Sequence, residues 1–264
     1  MKYFDAHCHI QFEDFGHDQE AIVERMRTEG IAGIVVGVDL ASSEKALALA
    51  TLHEHLYASV GLHPNRVGHE PFDVEAYRAL AAYPKVAAIG ECGLDYFRPA
   101  ALTDEVKAAQ RDVLAAHIDL AAAVDLPLII HARPTKGTQD AYRDLIGLLT
   151  EKRAEHGDAV RGDIHFFVGG VAEAEELFAL GFTVSFTAVI TFAHEYDEVI
   201  RRAPLSRLLA ETDAPYVAPA SRRRERNDPF AVAEVVARIA EIRGEDEETV
   251  RAALVENAER VFGL

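Results

Sequence analysis

The 264-residue chain reads as a (β/α)8 barrel, and three observations predict it. Short apolar runs alternate with longer amphipathic ones along the chain, the pattern of βα units around a parallel sheet. Eight such runs in about this length match the size of that barrel. Histidines and acids terminate several of the runs, and in a closed barrel those ends converge on the face where active sites are built. An open doubly wound sheet gives the same alternation, but no G-x-G-x-x-G follows the first run, so a dinucleotide site is unsupported.

The expected strands are YFDAH (3–7), IAGIVVGV (31–38), LYASVGL (56–62), VAAIGE (86–91), PLIIHA (127–132), GDIHFF (162–167), FTVSFT (182–187) and LLAET (208–212). Between them, helices are expected over 20–30, 44–55, 105–124, 176–181 and 228–242. The stretch from 245 reads as one or two closing helices. No linker, repeat or low-complexity segment interrupts this order, so residues 1–264 are expected to form one domain.

Hydrophobic residues make up 49% of the chain, enough for a sizeable core. Lys and Arg number 27 against 44 Asp and Glu, a formal net charge of −17. That argues against a broad basic footprint for nucleic acid or anionic membrane, but not against a local basic patch or bound cations. No apolar stretch is long enough to span a bilayer, and no signal peptide is evident. Two cysteines, Cys8 and Cys92, do not make a disulfide framework, so a reduced, cytoplasmic setting is expected.

The informative polar residues end strands. His7 and His9 end the first, Glu91 the fourth, His131 the fifth and Asp213 the eighth, and His165 lies near the end of the sixth. Strand residues two apart share a face, so His7 and His9 both point inward while Cys8 turns to the helix layer. Four imidazoles and two carboxylates suit Zn²⁺, Mn²⁺ or another divalent ion such as Fe²⁺ or Mg²⁺, and six ligands exceed what one tetrahedral ion needs. Two ions are expected, with Glu91 as the bridge between them. A strand-end histidine alone is more often a hydrogen-bonded loop residue, but the coincidence of five strand ends favours metal. His53-Glu54-His55 repeats the spacing at the end of a helix, where such residues do not share a face, and reads as a solvated helix end. His117, within the long helix, reads as structural.

FDAHCHI, GLHP (61–64), GECGLDY (90–96), IIHAR (129–133), His165 in IHFFVGG, ETDAPY (211–216), Arg226-Asn227-Asp228-Pro229 and the closing NAERVFGL resemble, in order, the TatD family of metal-dependent hydrolases. The resemblance runs from residue 3 to the end. It implies an amidohydrolase-like barrel with a divalent metal centre held by His7, His9, Glu91, His131, His165 and Asp213. It also implies a deoxyribonuclease trimming DNA from the 3′ end. One stretch departs: the family usually has a small residue or Cys after the sixth-strand histidine, then Phe-Ser-Gly or Phe-Thr-Gly. Here Phe166-Phe167-Val168-Gly169 removes a hydroxyl and adds bulk, which bears on substrate preference.

In the expected mechanism Asp213 binds an ion, takes the proton of an attacking water and passes it to the leaving oxygen. Arg133 is expected to hold a phosphate, and His63 to contact phosphate or donate a proton. Tyr96 is expected to stack on a base or line the pocket, with loop packing as the plain alternative. Arg222, Arg223, Arg224 and Arg226 follow the eighth strand and are expected to grip a nucleic-acid backbone, unless they pair with nearby acids. DNA or another phosphate-bearing molecule is the expected substrate, with no membrane or required protein partner. The same centre would serve an amidohydrolase, or an ester hydrolase such as an aminoacyl-tRNA deacylase. A non-catalytic barrel has no physical need for six convergent ligands.

Overall fold

All eight apolar runs form strands, arranged in sequential order as one parallel sheet in the computed structural model, which describes residues 1–99 and 102–264. They are β1 (Tyr3–Cys8), β2 (Ile31–Val36), β3 (Leu56–Val60), β4 (Val86–Asp95), β5 (Leu128–Arg133), β6 (Gly162–His165), β7 (Thr183–Phe186) and β8 (Leu208–Ala210). The ring closes beyond β8, where the Asp213 N–H donates to the His7 carbonyl at 2.9 Å and the His9 N–H donates to the Ala214 carbonyl at 2.7 Å.

The helices are α1 (Gln19–Glu29), α2 (Leu40–Leu52), α3 (Val74–Ala81), α4 (Asp104–Val124), α5 (Asp140–His156), α6 (Val171–Ala179), α7 (Asp197–Arg202), α8 (Val232–Arg243) and α9 (Glu247–Phe262). α2 starts four residues before the expected 44. Asp39 caps it, accepting the Ser42 N–H at 2.7 Å while Ser42 Oγ accepts the Asp39 N–H at 3.0 Å. It ends at Leu52, so His53-Glu54-His55 links the helix to the start of β3, at the end of the barrel away from the candidate site. Lys85 Nζ ties down the His53 and Glu54 carbonyls there, at 2.9 and 3.0 Å. α8 starts four residues after the expected 228, because Pro229–Ala231 forms a 3-10 turn capped by Asp228. The closing stretch is a single helix, α9, capped by Asp246.

Two apolar layers result. The outer one, between strands and helices, holds Cys8, Ile31, Val35, Cys92, Leu94 and Ile130 among many others. The inner one is small: Phe4, Ala6, Ala32, Ile34, Val36, Ala87, Ala88, Ile129 and Leu209, plugged by Val255, Ala258 and Phe262 of α9. Phe4 and Ala6 face inward, yet Cys8 faces outward, so the alternation of β1 is reset between them. The pairing with β2 shifts register between Asp5 and Cys8, and this bulge re-aims the strand end. Without it, His7 and His9 would point at the helices. A similar shift lies between Ile89 and Cys92 of β4, just before and after Glu91. Gly93, at φ +139°, lets β4 press against β5; a Cβ there would run into the His131 carbonyl oxygen.

Candidate metal centre

The strand ends bring all six expected ligands to one place. His7 Nε2 lies 3.1 Å from His9 Nε2 and 3.6 Å from Glu91 Oε2, and His9 Nε2 lies 3.5 Å from Asp213 Oδ1. On the other side of Glu91, Oε1 lies 3.2 Å from His131 Nδ1 and 3.7 Å from His165 Nε2. Atoms bound about 2.0–2.2 Å from one ion stand roughly 3–3.6 Å from each other, so these spacings fit divalent cations. The two Glu91 oxygens face different groups of partners, the geometry a bridging carboxylate requires.

Proton placement fits as well. A ligating imidazole must offer an inner lone pair, and donating its outer N–H to an oxygen secures that. His9 Nδ1 lies 2.8 Å from the Val36 carbonyl, leaving Nε2 free. His131 is turned the other way, with Nε2 3.2 Å from Asp95 Oδ2 and Nδ1 toward Glu91. His165 Nδ1 is 2.9 Å from Glu211 Oε1, though off the hydrogen-bond axis. His7 Nδ1 is buried without a hydrogen-bond partner among the described residues.

His63 behaves differently. Its Nε2 is 3.4 Å from Glu91 Oε1, but its Nδ1 lone pair accepts the Asn65 N–H at 3.1 Å. The neutral ring therefore carries its proton on Nε2 and presents an N–H, not a ligand, to the site. His117, buried in α4, fixes this turn: its Nδ1–H donates to the Val113 carbonyl at 2.8 Å and its Nε2 accepts the Leu62 N–H at 3.0 Å. Burial holds the His117 pKa down at about 4. Between that value and the unfolded 6.5, only the unfolded chain takes up the proton. Stability is therefore present above about pH 6.5 and lost as pH falls toward 4, by up to about 3 kcal/mol for this group. Urea unfolding from pH 7.5 to 4.5 should show a shallower pH slope in His117→Gln than in the wild type; equal slopes would exclude the effect.

Neighbouring charges override burial at two of these groups. Burial alone would raise Glu91 and lower His165. His63, His131 and His7 instead hold the Glu91 carboxyl well below its usual range, while Glu211, Glu91 and Asp213 push His165 up to about 10. Burial, followed by the neighbouring His165, lowers His7 to about 4. A bound cation would add to the local charges that set these directions.

Several supporting residues escaped the sequence reading. Asp95 is fully buried and takes the Phe97 and Arg98 N–H groups, both at 2.9 Å, besides orienting His131. Glu211 accepts the Phe166 N–H at 2.8 Å and the Ser185 hydroxyl at 2.8 Å. Asp5 accepts from the Thr212 N–H at 2.8 Å and hydroxyl at 2.6 Å, and Asn227 Nδ2 donates to the Thr212 carbonyl at 2.9 Å. Together they brace Asp213, which sits at φ +52°. The signal was present: Asp5, Asp95 and Glu211 lie two to four residues from the expected ligands in FDAH, GECGLD and ETD. Asp95→Asn should weaken Mn²⁺ or Zn²⁺ binding by about 10–100-fold in a calorimetric titration, and unchanged affinity would remove Asp95 from the account.

A cavity of about 530 Å³ opens above the centre, lined by His9, His63, Glu91, His131, His165 and Asp213. Arg66, Arg98 and Arg133 also line it. Arg66 pairs with Asp39 at 3.2 Å and Arg98 with Asp95 at 3.6 Å. Among the described residues Arg133 makes no ion pair; its guanidinium lies 4.2 Å over the Phe97 ring. Tyr96 does not reach the cavity. It turns outward with Cys92 and Leu94 into the helix layer, and its hydroxyl donates to Asp144 at 2.8 Å. Arg222 and Arg224 also stay outside the lining. Arg222 is engaged by Asp228 at 2.6 and 2.8 Å, and Arg224 is exposed on the loop. Arg223 covers Phe192 at 3.9 Å, and Arg226 grips Asp18 at 2.6 Å. Cys8 and Cys92 are buried and unpaired.

Residues 4–263 match the family model described as TatD related DNase. The chain belongs to this family. It is accordingly a metal-dependent hydrolase, and the relatives it resembles span its whole length. The "Uncharacterized metal-dependent hydrolase YabD" of Bacillus subtilis is 36% identical over 265 residues, covering 99% of both chains. A protein of Citrobacter rodentium named "3'-5' ssDNA/RNA exonuclease TatD" is 32% identical over 273 residues, covering 99% of this chain and 98% of that one. The crystal structure of the TatD homologue YJJV from Escherichia coli superposes with a TM-score of 0.88 at 29% identity, covering 100% of this chain and 98% of its own.

Proposed function

We propose that the chain cleaves phosphodiester bonds of single-stranded nucleic acid from its 3′ end, using two divalent cations, Zn²⁺, Mn²⁺ or Mg²⁺, held by His7, His9, Glu91, His131, His165 and Asp213. The observation that carries this reading is Arg133, a half-buried guanidinium with no acid partner among the described residues, at the edge of the candidate metal cluster. It supplies a two-point donor for phosphate, which a carbonyl substrate does not require. The activity named for the Citrobacter rodentium relative agrees with it. The acidic total of −17 is no obstacle when the phosphate meets cations only locally.

Bound cations would lower the pKa of water and neutralise charge developing on the phosphoryl oxygens. The chain's residues do the rest. Asp213 Oδ1, at the ligand cluster, accepts the proton of the attacking water and passes it to the leaving oxygen. Arg133 orients the phosphate in line with that attack. His63 lines the cavity, and its Nε2–H, 3.4 Å from Glu91 Oε1, supports a phosphoryl or leaving oxygen. Buried, reduced Cys8 and Cys92 accord with a cytoplasmic setting.

Arg133→Ala should raise KM for DNA by about 10–100-fold with a smaller change in kcat, as expected for a lost charged hydrogen bond. Unchanged KM would exclude it as the phosphate clamp. To test the function itself, the Mn²⁺-loaded protein is incubated with end-labelled single-stranded DNA and, in parallel, with amide and ester panels. Stepwise shortening from the 3′ end is expected. Turnover confined to the panels would assign the centre to carbon–nitrogen or carboxylic-ester hydrolysis instead.

A further inference from the structure

The rim of the cavity is divided by the order of the strands. Arg66, Arg98 and Arg133 rise from the ends of β3, β4 and β5, which are neighbours, and make a cationic arc. Phe166 and Val168 follow β6, and Val189 and Tyr196 follow β7, making an adjoining apolar arc. Phe166 stands out within it. It is only partly buried, it packs into neither apolar layer, and it lines the cavity. Its backbone sits at φ +45°, rare for a bulky side chain. Glu211 holds it there through the Phe166 N–H, while Phe167 anchors the next position against Tyr142 at 5.2 Å and the Val168 N–H donates to the Tyr142 hydroxyl at 2.8 Å. An aromatic side chain fixed in an unfavourable backbone conformation, and facing a cavity rather than the core, is placed for a ligand.

We infer that Phe166 is the stacking platform for the nucleobase of the nucleotide held in the cavity, its phosphate lying toward Arg133. This rests on the phosphodiesterase reading above. Neither Phe166 nor Val168 offers a hydrogen-bonding side chain, so the base is gripped by its flat face, and the four bases are accepted about equally.

The test uses the full Mn²⁺-loaded chain and two non-cleavable probes, thymidine 5′-monophosphate and deoxyribose 5-phosphate, in calorimetric titrations. The wild type should bind the nucleotide roughly tenfold more tightly than the sugar phosphate. Phe166→Ala and Phe166→Leu should abolish that preference while leaving sugar-phosphate affinity unchanged, and Phe166→Tyr should keep it. Leu preserves apolar bulk and guards against misfolding of the Ala variant, checked by thermal melting. A preference untouched by Phe166→Leu, or absent from the wild type, overturns the inference. Hydrolysis of bis(4-nitrophenyl) phosphate tests the parent reading separately: its absence with base preference intact rejects the phosphodiesterase alone, and its presence with no role for Phe166 rejects the platform alone.

Discussion

Asp213→Asn should lower kcat on DNA by about 10²–10⁴-fold, the usual worth of a positioned general base, while the barrel stays folded. The amide keeps the shape of the carboxylate but cannot accept a proton. The fold should tolerate the change because the backbone, not the side chain, closes the barrel here, through the Asp213 N–H to the His7 carbonyl. The side chain faces His9 at 3.5 Å and His7 at 3.9 Å, all within the cluster. A variant with native circular dichroism and wild-type kcat would show that the proton goes elsewhere.

Glu91→Gln should have the larger effect on metal. Both carboxylate oxygens are in use, Oε2 toward His7 and His9 and Oε1 toward His63, His131 and His165. An amide presents an oxygen to one group and an NH₂ to the other, so it cannot bridge. Metal content should fall from two ions per chain to at most one. The remaining affinity should drop by more than the roughly 10–100-fold that outer-shell partners control. Activity should disappear with the second ion. Elemental analysis of dialysed protein reads the stoichiometry, and a variant retaining two ions would remove Glu91 as the bridge.

The barrel was legible because strand and helix periods differ, and every apolar run became a strand. Its boundaries were less so: the start of α2 depends on the reciprocal Asp39–Ser42 cap, and that of α8 on a 3-10 turn. The clustering of the six strand-end residues could be read because ionisable groups at the ends of apolar runs need a reason to be there. The bulge that aims His7 and His9 inward left no mark on the periodicity. Tyr96 packs outward instead of lining the pocket, since Asp95 faces the site and Tyr96 the helices. The arginines after β8 show how a charge run misleads: Asp228 and Asp18 had already engaged Arg222 and Arg226, and such partners are invisible until the loop is folded. Arg66 and Arg98 reach the cavity from separate loops, with no cluster in the sequence to announce them.

The most direct test of the central claim is elemental analysis of wild-type protein purified without chelator, followed by chelation and titration back with Mn²⁺ and Zn²⁺. Two divalent ions per chain are expected, with stability and hydrolysis lost on removal and restored on addition. No bound ion, and no recovery with either metal, would contradict the account.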